Sequence, residues 1–432
     1  MPAGAAPAGR INPSPWQARH RNFPAIGPLF LLQATAGGHQ PSQWAPTLSK
    51  GWTVKPRHLA TAAAAALSLA AAACGSTSGA KPAPAPSVAS SFLNQLHTVS
   101  QVASTVPGNG DVNPYGVAVV PASAGRLTAG DTLVSNFNDK ANVQGTGTTI
   151  AEISPTGSAR TFARLSAMPA GQACPGGIGL TTALGILPGG WVVVGSLPTT
   201  TGGALPGLDP AGCLIVLNDQ GTPVKTITNK DIVGPWDLTV SSSATSAELF
   251  VSNALGGNTS TDHGVPVAGN CTIVRLDLAL SATAPPVLTS STVIGTQFPW
   301  RASKAALVLA PTGLALGRSG TLYVDDTQTS FISAIPQART RTSAVTASAG
   351  IFSSGGALSA PLGMTLAPNG DLIVVNGNNG NAVEIGPAGQ QLATKTLVKN
   401  GAGDLFGLTT AKAGNEILFV NDGTNALDRY HP

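Results

Sequence analysis

Apolar runs of about five to seven residues alternate with Gly-, Pro- and Asn-rich punctuation along this chain, and between Asn113 and Pro432 the alternation repeats six times. Each repeat opens on Pro-x-Gly or a close variant: Pro114-Tyr115-Gly116, Gly177-Ile178-Gly179, Pro235-Trp236-Asp237, Pro311-Thr312-Gly313, Pro361-Leu362-Gly363 and Leu405-Phe406-Gly407. A second apolar run closes on Asn, Asp or Ser, at Asn136, Ser196, Asn253, Asp326, Asn376 and Asp422, and a third strand-like run follows. Short Val-, Leu- and Ile-rich runs between turn residues predict β-strands. The Asn369-Gly370 pair is a strong hairpin signal. Second runs that are apolar throughout predict strands buried on both faces. Small β-rich units repeated in this way predict an all-β fold, a six-bladed β-propeller. The last repeat stops at its third strand, Ala426 to Tyr430. Residues Phe92 to Val102 are therefore expected to supply the missing strand, closing the ring and covering an edge that invites aggregation.

The chain before this region reads differently. Leu59 to Ala73 is an alanine-rich apolar run, preceded by Lys55, Arg57 and His58 and followed by Cys74-Gly75-Ser76. A basic flank, a short apolar stretch and small residues before a cut describe a secretory signal. About 15 residues fall short of the roughly 20 that span a bilayer. The Ala71-Ala72-Ala73-Cys74 junction resembles the lipobox of bacterial lipoproteins, which implies lipid attachment at Cys74; Ala71 departs from the Leu that the motif prefers. An ordinary signal peptide with an incidental Cys is the other reading. The expected layout is an extension over 1–53, non-native or disordered, then a signal peptide over 54–73. A Pro-rich tether over 74–91 and the propeller over 92–432 follow. The destination expected is the bacterial cell envelope, with the membrane reached through the lipid.

This layout changes the charge balance. The whole chain carries 23 Lys and Arg against 19 Asp and Glu, a net charge of +4. Six of the basic residues and none of the acids precede Cys74, so the 359 residues from Cys74 onward carry 17 against 19, a net charge of −2. Nucleic-acid binding needs clustered Lys and Arg on the folded domain, and the sequence has no such cluster. Cys174, Cys213 and Cys271 remain in an exported region, where disulfides persist. Cys174 precedes the first strand of the second repeat and Cys213 begins its third, which favours that pair; Cys174 with Cys271 is the alternative.

The Pro-x-Gly-Val-Ala-Val opening at Pro114–Val119 and the Gly-x-Leu-Tyr-Val-x-Asp run at Gly320–Asp326 resemble the NHL repeat. In looser form they resemble six-bladed gluconolactonase-like and strictosidine-synthase-like propellers. The resemblance covers roughly residues 92–432, and Asn378 to Ala382 keeps only the Asn-rich part of the NHL continuation. In lactonases of this outline, Glu, Asn and Asp at such positions hold a metal. That implies a ring of Asn136, Ser196, Asn253, Asp326, Asn376 and Asp422 around Ca²⁺, which takes 6–8 oxygen ligands. Asn and Asp at strand ends also cap turns through their own backbone, and no opening carries the Glu that a lactonase would want.

Catalytic residues are otherwise scarce. His97 lies in the closing segment, His263 in an insertion and His431 at the C-terminus. There is no paired-carboxylate motif, nucleophile elbow or phosphate loop. Trp191, Trp236 and Trp300 lie in the propeller region, and Trp236 either packs between blades or lines a channel mouth. The expected function is a monomeric binding or scaffold module whose loop-rich face meets a protein, peptide or glycan. A Ca²⁺-dependent hydrolase or lactonase is the alternative.

Overall fold

The computed structural model describes residues 91–165, 168–199, 211–256, 267–303, 306–411 and 413–432. Cys74 and His263 lie outside them. The described residues form six sheets, five of four antiparallel strands and one extended to six that includes a short parallel pair. The first strands of the sheets are Val112–Val119, Leu184–Leu187, Pro235–Ser242, Pro311–Leu316, Pro361–Leu366 and Leu405–Thr410. Each contacts the first strand of the next sheet, and the sixth contacts the first, which closes a ring of six blades around an axis.

The closing strand is Thr98–Ser104. It pairs antiparallel with Ala426–His431, from Thr98 opposite His431 to Ser104 opposite Ala426. It therefore lies two residues further along than the end expected at Val102. Leu93–Gln95 instead forms a 3-10 turn, with Phe92, Leu93 and Leu96 buried beside Leu405, Ile417 and Phe419.

Five of the six openings contain a β-bulge, seen as a register break between, for example, Pro114 and Val117 or Pro311 and Leu314. A bulge leaves one residue off the ladder and re-aims its neighbours. The unpaired amide is recovered by a side chain on the second strand. Ser135 Oγ accepts from Gly116 at 2.9 Å, Ser252 Oγ from Asp237 at 3.1 Å, and Asp325 Oδ1 from Gly313 at 2.6 Å.

The glycine of the motif answers to close packing at the axis. A Cβ on Gly363 would lie 2.4 Å from Phe406 O, and one on Gly407 would lie 2.1 Å from Tyr115 O. In the second blade Leu184 pairs with Val194, as Val117 does with Val134 and Met364 with Val374. Its opening is therefore Thr181-Thr182-Ala183, not the expected Gly177-Ile178-Gly179. The small residue has changed partner: Gly195 on the second strand makes room for Ala183, whose Cβ a Cβ on Gly195 would meet at 2.7 Å.

Candidate functional site

First strands begin on what we term the upper face and end on the lower one. The expected ring belongs to the upper face, and its side chains turn onto the loop and strand backbone beside them. Asn136 Nδ2 donates to Thr105 O at 2.8 Å. Ser196 Oγ accepts from Gly179 at 2.9 Å. Asn253 Oδ1 accepts from Val233 and Gly234 while its Nδ2 donates to Asp231 O. Asn376 holds Ser359 N and Ala357 O in the same way, and Asp326 Oδ1 caps Thr329 at 2.8 Å. Asp422 lies one residue beyond the ring: the residue opposite Leu405, as Asn136 is opposite Pro114, is Asn421. Asn421 donates to Asp428. Each of these side chains secures the loop or strand beside it, the capping role open to Asn and Asp. Among the described residues, no three His, Cys, Asp or Glu side chains group as metal ligands.

The axis just below is filled by the middle residues of the openings. Tyr115 reaches across it, donating to Leu362 O of the fifth blade at 2.9 Å and accepting from Trp236 Nε1 of the third at 2.7 Å. Trp236 meets the Tyr115 ring edge-on at 5.7 Å, and Phe406 packs on it at 5.3 Å. The cavity left above this stopper, between Trp236, Leu362, Phe406 and Val308, is about 20 Å³. That is room for about one water.

Beneath the stopper sit two carboxyl groups. Asp237 Oδ2 accepts from Leu314 N at 3.1 Å and Asp325 Oδ1 from Gly313 N at 2.6 Å, consecutive amides of one strand. Thr312 Oγ1 also donates to Asp325 Oδ1, and Asp325 Oδ2 has no hydrogen-bond partner. Burial disfavours the charged form of an acid. It pushes Asp237 up to about 7 against the Leu238 and Leu314 amides. It pushes Asp325 up to about 8 against its bonds to Thr312 and Gly313, with the charges of Asp237 and Asp326 adding to the rise. Near neutral pH this pair holds protons rather than two full charges. Burial likewise raises the Tyr115 hydroxyl well above its ordinary value, with the same two acids contributing.

Asp237 also heads a polar stripe. Alternate strand residues share a face, and Asp237, Thr239 and Ser241 face the fourth blade. Leu238 and Val240 face the second, where a Cβ on Gly185 would meet them at 2.4 and 3.0 Å. Corresponding triplets elsewhere carry no acid: Gly116-Ala118-Val120 and Gly313-Ala315-Gly317 are small or apolar, and Gly363-Thr365-Ala367 and Gly407-Thr409-Ala411 have one Thr each. The stripe descends into a cleft of about 700 Å³ on the lower face between the third and fourth blades. Thr239, Val240, Ser241 and Glu248 form one wall, and Leu316 to Gly320 with Gln337, Arg339 and Thr340 form the other. Arg339 Nε pairs with Glu248 Oε2 across it at 2.5 Å.

The Cys174–Cys213 disulfide is present, with Cα atoms 5.6 Å apart, and Cys271 is a buried free thiol. Trp236 and Trp300 are core residues. His431 binds Ser100 Oγ at 3.0 Å in the closing strand pair. No sequence motif marks the acid pair or the polar stripe. Their signal was an Asp at an opening position where other blades place Gly or Ala.

No protein-family model matches this chain, and no curated protein matches its sequence. Solved structures it is similar to include a streptogramin B lyase, 13% identical over 77% of this chain and 97% of that one, with a TM-score of 0.42. A gluconolactonase from Xanthomonas campestris is 13% identical over 77% and 89%, at 0.45. Regucalcin, a calcium-binding protein from Agrobacterium tumefaciens, is 11% identical over 74% and 90%, at 0.42. Identities this low carry no information about ligand or reaction.

Proposed function

We propose that this protein is an exported, lipid-anchored binding module of the bacterial cell envelope, and that it takes a protein, peptide or glycan ligand in the lower cleft between the third and fourth blades. The observation that carries the reading is the polar cleft of about 700 Å³ on one face of a propeller whose axis is stoppered on the other. Ligand sites commonly occupy about 300–1,000 Å³, a size the cleft has and the 20 Å³ upper cavity lacks. The strand-end side chains are engaged with their own loops, which favours binding over a hydrolase built on that ring.

Hydrogen exchange of the full chain, with and without purified cell-wall fragments, tests the site. Protection is expected at Thr239–Glu248 and Gly317–Gly320. Protection confined to the upper loops would remove the cleft from the proposal. Anchoring is tested separately: Cys74→Ala should release the protein from the membrane fraction.

A further inference from the structure

We infer that the ligand of the lower cleft is an acidic saccharide, a glycan bearing carboxylates. The inference rests on the cleft reading above and names its ligand class. Two arginines are among the residues that line the cleft, Arg318 and Arg339. Arg339 spends only its Nε on Glu248, which leaves both terminal nitrogens as donors, and its side chain is 54% exposed. Arg318 places one Nη2 bond on Pro368 O at 3.1 Å, tying it to the turn of the fifth blade while its other N–H groups stay free. A planar guanidinium fork matches a carboxylate through two parallel hydrogen bonds, which an ammonium cannot do. With Glu248 as the acid lining the cleft beside them, the two arginines leave a net positive mouth.

The wall behind that mouth is hydroxylated. Thr239 and Ser241 project from one strand, and Thr340 lies opposite. A hydroxyl both donates and accepts, so a row of them complements the vicinal hydroxyls of a sugar ring better than the side chains of an acidic peptide. Among the described residues that line the cleft none is aromatic to act as a stacking platform, so binding of a sugar here must draw on its charge.

The probe is tetragalacturonate, titrated calorimetrically into the full chain at low and moderate salt, beside its fully methyl-esterified form and tetraglutamate. Expected is binding of the acid that weakens with salt, at least tenfold weaker binding of the ester and of tetraglutamate, and about tenfold loss in Arg339→Gln and in Arg318→Gln. Circular dichroism melts confirm that both variants remain folded. Ser241→Trp, which fills the cleft, should abolish binding. Equal binding of the ester, still lost in Ser241→Trp, overturns the acidic class and leaves the cleft as a site. Equal or tighter binding of tetraglutamate overturns the saccharide in favour of an acidic peptide. Binding that survives Ser241→Trp overturns the cleft itself, and no binding of the acid overturns the inference.

Discussion

Asp237 and Asp325 make folding of this protein depend on pH in an unusual direction. Most acids in a native state are held below their ordinary values and stabilise the fold as pH rises. Here the folded values are about 7 and about 8, above those of an unfolded chain. Between pH 4 and 8 the native state therefore holds more protons than the unfolded one. Stability is fully present below about pH 4 and is lost as pH rises through 7 to 8, by up to about 1.4 kcal/mol per pH unit for each proton. Asp326, pushed up to about 7 by burial, adds in the same sense. Chemical denaturation at pH 5, 7 and 9 should show this fall, and Asp325→Asn should make it shallower by the share of one titrating group. The amide keeps the oxygen that serves Thr312 and Gly313 while removing the titrating group. A wild-type stability that stays level or rises from pH 5 to 9 would sink the account. Neither acid stood out in the sequence, because a lone Asp in a strand gives no hint of its burial or of the acid facing it from another blade.

The recurring element of the fold is the bulged opening, and its small third residue is set by the neighbouring blade rather than by its own strand. A Cβ at Gly407 would fall 2.1 Å from a backbone oxygen, which cannot move aside as a flexible side chain can. Gly407→Ala is expected to lower stability by roughly 1–3 kcal/mol, the cost of overpacking. Gly108→Ala, with nothing within 4 Å of the added methyl, should stay within about 0.5 kcal/mol. Comparable denaturant midpoints for the two variants would refute the packing argument. The element scale also explains the misplaced opening of the second blade. Gly177-Ile178-Gly179 has the composition of the motif, yet the small pair that packs there is Ala183 with Gly195. Composition along one strand cannot reveal a space shared between two. In the same way Asn421, not Asp422, holds the strand-end position, because only pairing with Leu405 sets the register.

At the scale of the whole molecule, ring closure depends on an N-terminal clasp. Buried Glu384 in the fifth blade accepts from Phe92 N and Leu93 N, both at 2.8 Å, and from Ser91 Oγ. It thereby seats the segment that leads into the closing strand of the sixth. Glu384→Ala leaves those amides without their acceptor, an expected loss on the order of 2 kcal/mol or more. The segment from Ser91 to Ser104 should become the first site of proteolysis, and an unchanged cleavage pattern would count against the clasp. The number of blades, the closing N-terminal strand and the Cys174–Cys213 pair could all be read from the sequence. They follow from local periodicity and from the order of strands along the chain, and both are written residue by residue. That the Asn and Asp strand ends hydrogen-bond the backbone beside them is visible only in the tertiary structure. So are the closing of the axis by Tyr115, Trp236 and Phe406 and the opening of a polar seam between the third and fourth blades. Those outcomes depend on which side chains from different blades meet across the axis or a seam, and no single repeat contains both partners.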